Sequence, residues 1–409
     1  MEKSKKKKKQ KKWLKFRHRV IKTLLRMSFG WFCRLKYNIK IKPLGEKKER
    51  QYLILYNHQT AFDQFFVGVS FKKPIYYIAS EDLFSNGWVS KLIKYLVEPI
   101  PIKKQATDVR SMLNCMKVAK EGGTIALAPE GNRTYSGKTE YIKPSVVSLV
   151  RALKLPVALY RIEGGYGVHP RWSDKVRRGK MKSYVSRILE LDEINSMSDE
   201  ELFAVIEREM YVNEGVVDGE YITKNQAEYL ERAIYVCPEC GLSEFESNGD
   251  IIKCKRCGVS ARYLPTKELV GIDNDFPFRF VTEWYAYQSR FVNSLDTLAM
   301  TDNPMYKDRV RLSEVILYKN KRLIAEEADI SLFGDRIVME YGEECRTVLD
   351  FDGTSSVAVL GRNKVNVYYG DKVYQFKGSK RFCGLKYVNV YFRYRNLNSE
   401  DKNGEFLGL

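Results

Sequence analysis

Between residues 50 and 190, five short apolar runs alternate with stretches of helical character, and this rhythm restricts the fold more than any other feature of the chain. The runs are YLILY (52–56), PIYYIA (74–79), EPIPI (98–102), TIALA (124–128) and LPVALYRI (155–162). At five to eight residues each, they suit strands rather than helices. Helix-like stretches lie near 62–70, 87–97, 107–121 and 143–154. Strands alternating with helices imply an α/β domain, with helices packed on a sheet. In such folds the working side chains sit on loops leaving the strand ends. Residues 199–232 read as helical and would close the unit.

The chain has 409 residues, enough for two or three cores, and further modules follow. Cys237-Pro-Glu-Cys240 and Cys254-Lys-Arg-Cys257 are separated by thirteen residues, the knuckle spacing of a zinc ribbon. Four thiolates make a closed tetrahedral site, so the Zn²⁺ expected here is structural; the competing accounts are four reduced cysteines or two disulfides. Cys33, Cys115, Cys345 and Cys383 are scattered, which speaks against a secreted disulfide framework. Cys115 falls in a helical pattern with Met112, Met116 and Ala119, so it reads as core. Beyond a connecting helix, residues 310–377 read as short strands, at 314–319, 335–341, 363–370 and 372–376, and 379–394 as a closing helix. A small β-rich domain, barrel-like or sandwich, is expected.

Charge is distributed unevenly. The net charge is +19, but residues 1–50 carry 20 Lys/Arg against 3 Glu, which leaves +2 for the other 359 residues. A basic body is thereby excluded and a basic arm implied. After the lysine run, Trp13, Phe16, Val20, Leu24, Trp31 and Leu35 recur at roughly helical spacing with Lys15, Arg19, Lys22 and Arg26 between them. A cationic helix with aromatic residues on its apolar side suits an anionic lipid surface. A solvated basic tail with an ordinary packed helix, or a nucleic-acid arm, are the alternatives. No window of eighteen uncharged apolar residues exists, so no transmembrane helix is expected, nor a signal peptide.

Two loops carry chemistry. Tyr56-Asn57-His58-Gln59-Thr60-Ala61-Phe62-Asp63 leaves the first apolar run and holds one of only three histidines. Positions five apart do not share a helix face, so His58 and Asp63 meet only if 57–60 is a loop and a helix begins near Asp63. The carboxylate would then hold the imidazole tautomer of a general base. Ala128-Pro129-Glu130-Gly131-Asn132-Arg133-Thr134 leaves the fourth run and offers a carboxylate, a glycine turn and an arginine suited to forked phosphate recognition. Either loop alone has an ordinary structural explanation.

Together, about 70 residues apart, the two loops resemble the glycerolipid acyltransferase family typified by 1-acyl-sn-glycerol-3-phosphate acyltransferases. That family carries Asn-His-x-x-x-x-Asp followed by Pro-Glu-Gly-Thr-Arg-Ser. NHQTAFD matches fully; PEGNRT has Asn132 for the usual Thr and Thr134 for the usual Ser. Lys104, in PIPIKK, stands where the family has Arg, and Leu159 where its later strand has a second proline. The resemblance covers roughly residues 15–215.

The resemblance implies His58 as general base, Asp63 as its orienting partner, and Arg133 and Lys104 as acceptor-phosphate ligands. It places Glu130, Gly131 and Asn57 in the substrate site. The implied activity is acyl transfer from acyl-carrier protein or coenzyme A to the free hydroxyl of 1-acyl-sn-glycerol-3-phosphate, giving phosphatidic acid without a catalytic cofactor. Another lysolipid acceptor, or a retired scaffold or sensor, are the alternatives. The expected organisation is a basic arm and membrane-binding helix (1–36), an acyltransferase domain of helices on a mixed sheet (37–233), a zinc ribbon (234–262), and a connecting helix with a mostly-β C-terminal domain (263–409). The expected partners are the acyl donor, a lysophospholipid and an anionic membrane, at its cytoplasmic face in peripheral or monotopic fashion, with no nucleic acid. The ribbon, which follows all the family motifs, reads as a scaffold or docking module.

Overall fold

The computed structural model describes residues 12–46, 50–102, 109–273, 275–316, 321–398 and 404–408. The N-terminal domain is built on strands β1 (Ile39–Ile41), β2 (Leu53–Tyr56), β3 (Ile75–Ser80), β4 (Ile100–Ile102), β5 (Thr124–Leu127), β6 (Val157–Glu163) and β7 (Met181–Leu189). They form one sheet in the order β1-β7-β6-β2-β5-β3-β4. Neighbours are parallel except β6 and β7, so the sheet is mixed.

β2 lies at the centre with all four residues buried, as expected of a strand covered on both faces. The period of two divides its side chains between two cores. Leu53 and Leu55 join Ile125, Val157 and Leu159 under helices α4 (Val109–Lys120) and α5 (Ser145–Leu153). Ile54 and Tyr56 join Ala126, Ala158 and Tyr160 under α1 (Phe16–Tyr37) and α2 (Asp63–Ser70). The α3 helix (Gly87–Leu96) lies beside α1, where the Arg17 guanidinium sits 4.4 Å over the Tyr95 ring. The short α6 (Gly165–Val168) and α7 (Leu191–Ser196) precede α8 (Asp199–Met210), whose Ser198 and Glu201 form a reciprocal capping box.

The helix expected over 199–232 stops at Met210. Residues 211–229 are irregular, and only Leu230–Arg232 make a further single turn. This segment finds partners other than helical ones: Val212 O accepts from Thr139 N, Glu214 N donates to Gly137 O, and Tyr221 N donates to Pro265 O.

The ribbon follows, with β8 (Val236–Cys237) paired to β9 (Gly241–Leu242), and β10 (Phe245–Asn248), β11 (Ile251–Cys254), β12 (Ser260–Tyr263) and β13 (Leu269–Gly271) in an antiparallel meander. The connecting helix is α9 (Val281–Ser294). The last domain holds β14 (Tyr306–Glu314), β15 (Arg322–Leu332), β16 (Arg336–Tyr341), β17 (Cys345–Asp350), β18 (Thr354–Leu360), β19 (Lys364–Tyr369) and β20 (Lys372–Gly378) in one antiparallel sheet. Its order, β17-β16-β15-β14-β20-β19-β18, leaves β17 and β18 as edges. It is an open half-barrel rather than a closed barrel or a two-sheet sandwich. The final helix α10 (Leu385–Asn398) fills its concave side and buries Leu385, Tyr387, Val388, Val390, Tyr391 and Tyr394. One apolar cluster joins that core to the ribbon and to Tyr135, Tyr166 and Trp172 of the N-terminal domain. The ribbon is therefore not a detached module.

Candidate active site and cysteine cluster

Sheet order explains how the two sequence motifs meet. β2 and β5 are parallel neighbours, with Leu55 opposite Leu127, so both carboxyl ends emerge side by side. Tyr56 leads into Asn57 and His58, and Leu127 leads into Ala128, Pro129 and Glu130. Two contacts lock the loops together: His58 N donates to Glu130 Oε1 at 2.7 Å, and Thr134 N donates to His58 O at 3.1 Å.

Helix α2 begins at Asp63, which folds the carboxylate back onto the loop. Asp63 Oδ2 lies 2.8 Å from His58 Nδ1 and accepts from Gln59 N at 2.7 Å and Thr60 N at 2.9 Å. Asp63 Oδ1 accepts from Thr60 Oγ1 at 2.6 Å. The residue is fully buried, and every one of these partners donates to it. An acceptor-only carboxylate fixes the His58 proton on Nδ1 and leaves the Nε2 lone pair for chemistry. Burial lowers the His58 pKa; the hydrogen bond and charge of Asp63 oppose the shift, while Arg133 and Arg171 add to it. A neutral imidazole is thus available at neutral pH.

Glu130 and Asn57 both have their polar atoms engaged by backbone groups. Glu130 Oε1 is taken by His58 N, and Oε2 accepts from Glu140 N at 2.8 Å. Burial drives the Glu130 pKa well above the usual carboxylate range, against those two backbone donors. It braces the two loops and lines the cavity beside His58. Asn57 is fully buried, its Oδ1 accepting from Ile162 N at 2.7 Å and its Nδ2 donating to Ile162 O at 2.8 Å. It stitches β2 to β6 and is not placed as a substrate ligand. Gly131 does stand on the cavity wall, with φ at +70°, a conformation side chains rarely tolerate. Lys104 lies outside the described residues.

Arg133 lines the same cavity as His58. Its Nη1 is buried without a hydrogen-bond partner, and no carboxylate pairs with it among the described residues. Burial, then Arg171 and Arg362, pushes its pKa down to about 10. The cavity has a volume of about 1310 Å³. From His58 it extends beneath α1, along Ile21, Leu25 and Phe29, and reaches Cys115 and Leu149. Cys115 is buried in the core, as its sequence pattern implies. The site therefore places a base, a cation and a long apolar space together.

The four ribbon cysteines converge. All four sulfurs of Cys237, Cys240, Cys254 and Cys257 lie within 4.8 Å of one another. The Cys237–Cys257 and Cys240–Cys254 pairs are separated by 3.5 and 3.6 Å. Thiolates bound at about 2.3 Å around a tetrahedral Zn²⁺ stand roughly 3.8 Å apart, so the cluster fits such an ion. Ser243 Oγ, 3.0 Å from Cys254 Sγ, supplies an outer contact.

Residues 38–162 match the family model described as Acyltransferase. A 134-residue stretch is 25% identical to a 1-acyl-sn-glycerol-3-phosphate acyltransferase of Bacillus subtilis (strain 168), covering 32% of this chain and 64% of that protein. The chain thus spans a little under two thirds of the length of that relative. The crystal structure of the 1-acyl-sn-glycerophosphate (LPA) acyltransferase from Thermotoga maritima aligns at 22% identity and a TM-score of 0.39, over 47% of this chain and 75% of that one. The region holding both motif loops, residues 38–162, is an acyltransferase-family domain.

Proposed function

We propose that the protein transfers an acyl group from an acyl thioester to the free hydroxyl of 1-acyl-sn-glycerol-3-phosphate, yielding phosphatidic acid. The observation that carries the proposal is the His58–Asp63 dyad opening beside Arg133 into a long apolar cavity. His58 Nε2 removes the acceptor hydroxyl proton as the oxygen attacks the thioester carbonyl. The tetrahedral intermediate collapses with loss of the thiolate, and the imidazolium returns its proton to that sulfur. Asp63 remains ionised and stabilises the imidazolium. Arg133 holds the acceptor phosphate, and no covalent acyl-enzyme or cofactor is needed. Coenzyme A and acyl-carrier protein thioesters both satisfy this chemistry.

The work takes place at a membrane surface. Among the described residues, no helix is long and apolar enough to cross a membrane. Helix α1 instead turns Phe16, Val20, Leu24, Met27, Trp31 and Leu35 outward. Two of its cations point the other way, Lys22 donating to Gly68 O and Arg26 Nε to Val69 O at the end of α2, while Arg19, Arg34 and Lys36 are exposed. The adjacent α3 adds exposed Trp88, Leu92 and Tyr95. This apolar face, rather than a lysine-lined one, fits lipid. The lysine run of residues 1–11 lies outside the described residues.

Purified protein assayed with a panel of lysolipids and both thioester donors tests the proposal. Preference for a lysolipid bearing a phosphate monoester, abolished by His58→Ala, is the expected result. Turnover unaffected by His58→Ala would end it.

A further inference from the structure

A third loop reaches the site, and it belongs to neither motif. β6 is the other parallel neighbour of β2, so the segment after Glu163 emerges beside His58. The turn there depends on Gly164, whose φ is +78°; a Cβ at that position would lie 2.2 Å from Lys180 O. The segment then runs through α6 to His169, Pro170 and Arg171, all buried.

Arg171 lines the cavity that holds His58 and Arg133. Its Nη1 donates to Arg133 O at 2.8 Å, and its guanidinium stacks 4.1 Å over the Tyr135 ring. Its Nη2 lies 3.4 Å from Val359 O of the C-terminal domain. The residue is only 3% exposed, its Nε is buried without a partner, and no ion pair holds it among the described residues. Burying a guanidinium without a counter-charge is costly unless an anion arrives. Arg133, half-buried, likewise has no ion pair among the described residues and a buried Nη1 without a partner, so two guanidinium groups, each with an unsatisfied N–H, line one cavity.

The C-terminal domain contributes the far wall. Val359, Leu360 and Gly361, at the β18–β19 turn, line the cavity together with Phe406. Arg362 fastens that turn: its Nη2 is 2.8 Å from His169 Nε2 and its Nη1 is 3.2 Å from Asp174 Oδ1. Asp174 is also held by Arg232 at 2.8 Å. The loop carrying Arg171 is thereby gripped by both domains.

We propose that Arg171 is a second forked ligand of the acceptor phosphate, paired with Arg133, and that the β18–β19 turn of the C-terminal domain completes the acceptor site. Two cations that line one cavity, with no ion pair to either among the described residues, match a phosphate monoester, which carries about −1.5 to −2 charges, better than a diester. The inference rests on the proposed acyl transfer and adds a ligand from outside the family-matched region, 38–162, and a wall from a separate domain. The thioester donor also bears phosphates, so acceptor and donor constants must be separated.

The test uses the full chain with Arg171→Gln, Arg171→Lys, Arg362→Gln and Arg133→Ala. Arg171→Gln is expected to raise the acceptor KM roughly 10- to 100-fold, the range for losing one charge-assisted contact. The donor KM should stay within about 3-fold. Preference for the lysophosphatidate over the matching monoacylglycerol should fall with it, a change that general loosening of the fold would not produce. Inorganic phosphate should compete with the acceptor in the unaltered protein and bind more weakly to Arg171→Lys, which keeps the charge but loses the fork. Arg362→Gln, at a half-buried position, should raise the acceptor KM by a smaller factor, and it reports on the turn even if Arg171→Gln fails to fold. If Arg133→Ala weakens acceptor use while Arg171→Gln and Arg171→Lys leave acceptor KM, head-group preference and phosphate competition unchanged, the inference falls and the proposed function stands. If Arg133→Ala is equally silent, the function itself falls. An effect confined to the thioester would move Arg171 to the donor site and overturn the assignment.

Discussion

Asp63→Asn isolates the charge of the dyad from its shape. The amide can place its oxygen at the Oδ2 position, where Gln59 N, Thr60 N and His58 Nδ1 all donate. Its NH₂ then faces Thr60 Oγ1, which can turn to accept, and Thr60 N, which gives up its bond at that position and keeps the one to the Oδ2 position. Three donors at one position favour that orientation, so the loop and the Nδ1–H tautomer survive while the charge is lost. Weaker hydrogen bonds to a neutral amide cost about 1–3 kcal/mol of stability. The catalytic cost is larger, because a forming imidazolium loses its counter-ion in a buried site; a rate loss on the order of 10³–10⁴ is expected. The pH profile adds a signed test. Activity requires neutral His58 and rises with pH through its pKa, which lies below the ordinary 6.5. Asp63 raises that pKa, so Asp63→Asn should move the acid limb to lower pH. Arg133 and Arg171 lower it, so removing either charge should move the limb to higher pH. Steady-state kinetics from pH 4.5 to 8 on folded variants reads both effects. Activity of Asp63→Asn within 10-fold of the unaltered protein, or limb shifts of the same sign in all variants, would refute the general-base assignment.

Other consequences are equally direct. Arg133→Ala should raise the acceptor KM with little change in the donor KM, which separate titrations of the two substrates would show. Trp31→Glu combined with Leu24→Glu should weaken vesicle flotation while activity on detergent-dispersed substrate persists; unchanged flotation would remove α1 from the membrane contact. The purified protein should hold one zinc per chain, and Cys254→Ser or strong chelation should lower its thermal midpoint. Because the ribbon shares its core with the C-terminal domain, metal loss should also raise the acceptor KM; an unchanged KM in metal-free, folded protein would make the ribbon independent of the site.

The sequence makes the central strands and the dyad legible because both rest on local signals. Five apolar runs become β2, β3, β4, β5 and β6, and Asp63 begins a helix as the His58 pairing requires. The two Cys-x-x-Cys knuckles likewise announce their cluster. What escapes is whatever depends on neighbours in space. β1, at three residues, is too short to read, and β7 carries no clean alternation. β15, RLIAEEADISL, hides behind Glu326, Glu327 and Asp329, all three of which face solvent. Nothing in Asn57 or Glu130 themselves shows that their polar atoms are spent on Ile162, His58 and Glu140; that follows only from which strands lie side by side. Arg171 is less visible still, being one arginine in a basic stretch until β6 is known to flank β2.

That adjacency also bears on why the chain carries modules beyond the acyltransferase domain. The loop from Gly164 to Arg178 has no regular structure beyond α6 and few hydrogen bonds of its own, among them Ser173 N to Pro170 O and Arg177 N to Val168 O. Other parts of the chain supply the restraint. Arg177 Nη2 donates to Gln226 O at 2.8 Å and its guanidinium lies 4.7 Å over Trp172 and 5.0 Å over Tyr263 of the ribbon. Arg232 Nη1 donates to Trp172 O at 2.8 Å, and its Nε reaches Lys380 O near α10. Gln288 on α9 accepts from Tyr235 N at 2.7 Å, just ahead of Cys237, and Trp284 Nε1 donates to Val236 O at 2.8 Å. The cysteine cluster fixes the knuckle, the knuckle is packed on α9, and the same core closes over Trp172 next to Arg171. A rigid anion site needs its ligands held by packing as well as by charge. Here an arginine-bearing loop is immobilised by the four-cysteine ribbon and a half-barrel on one side and by the N-terminal sheet on the other. On the proposed reading the appended modules belong to the acceptor site, and their loss should register first in head-group discrimination and only afterwards in the chemistry of His58.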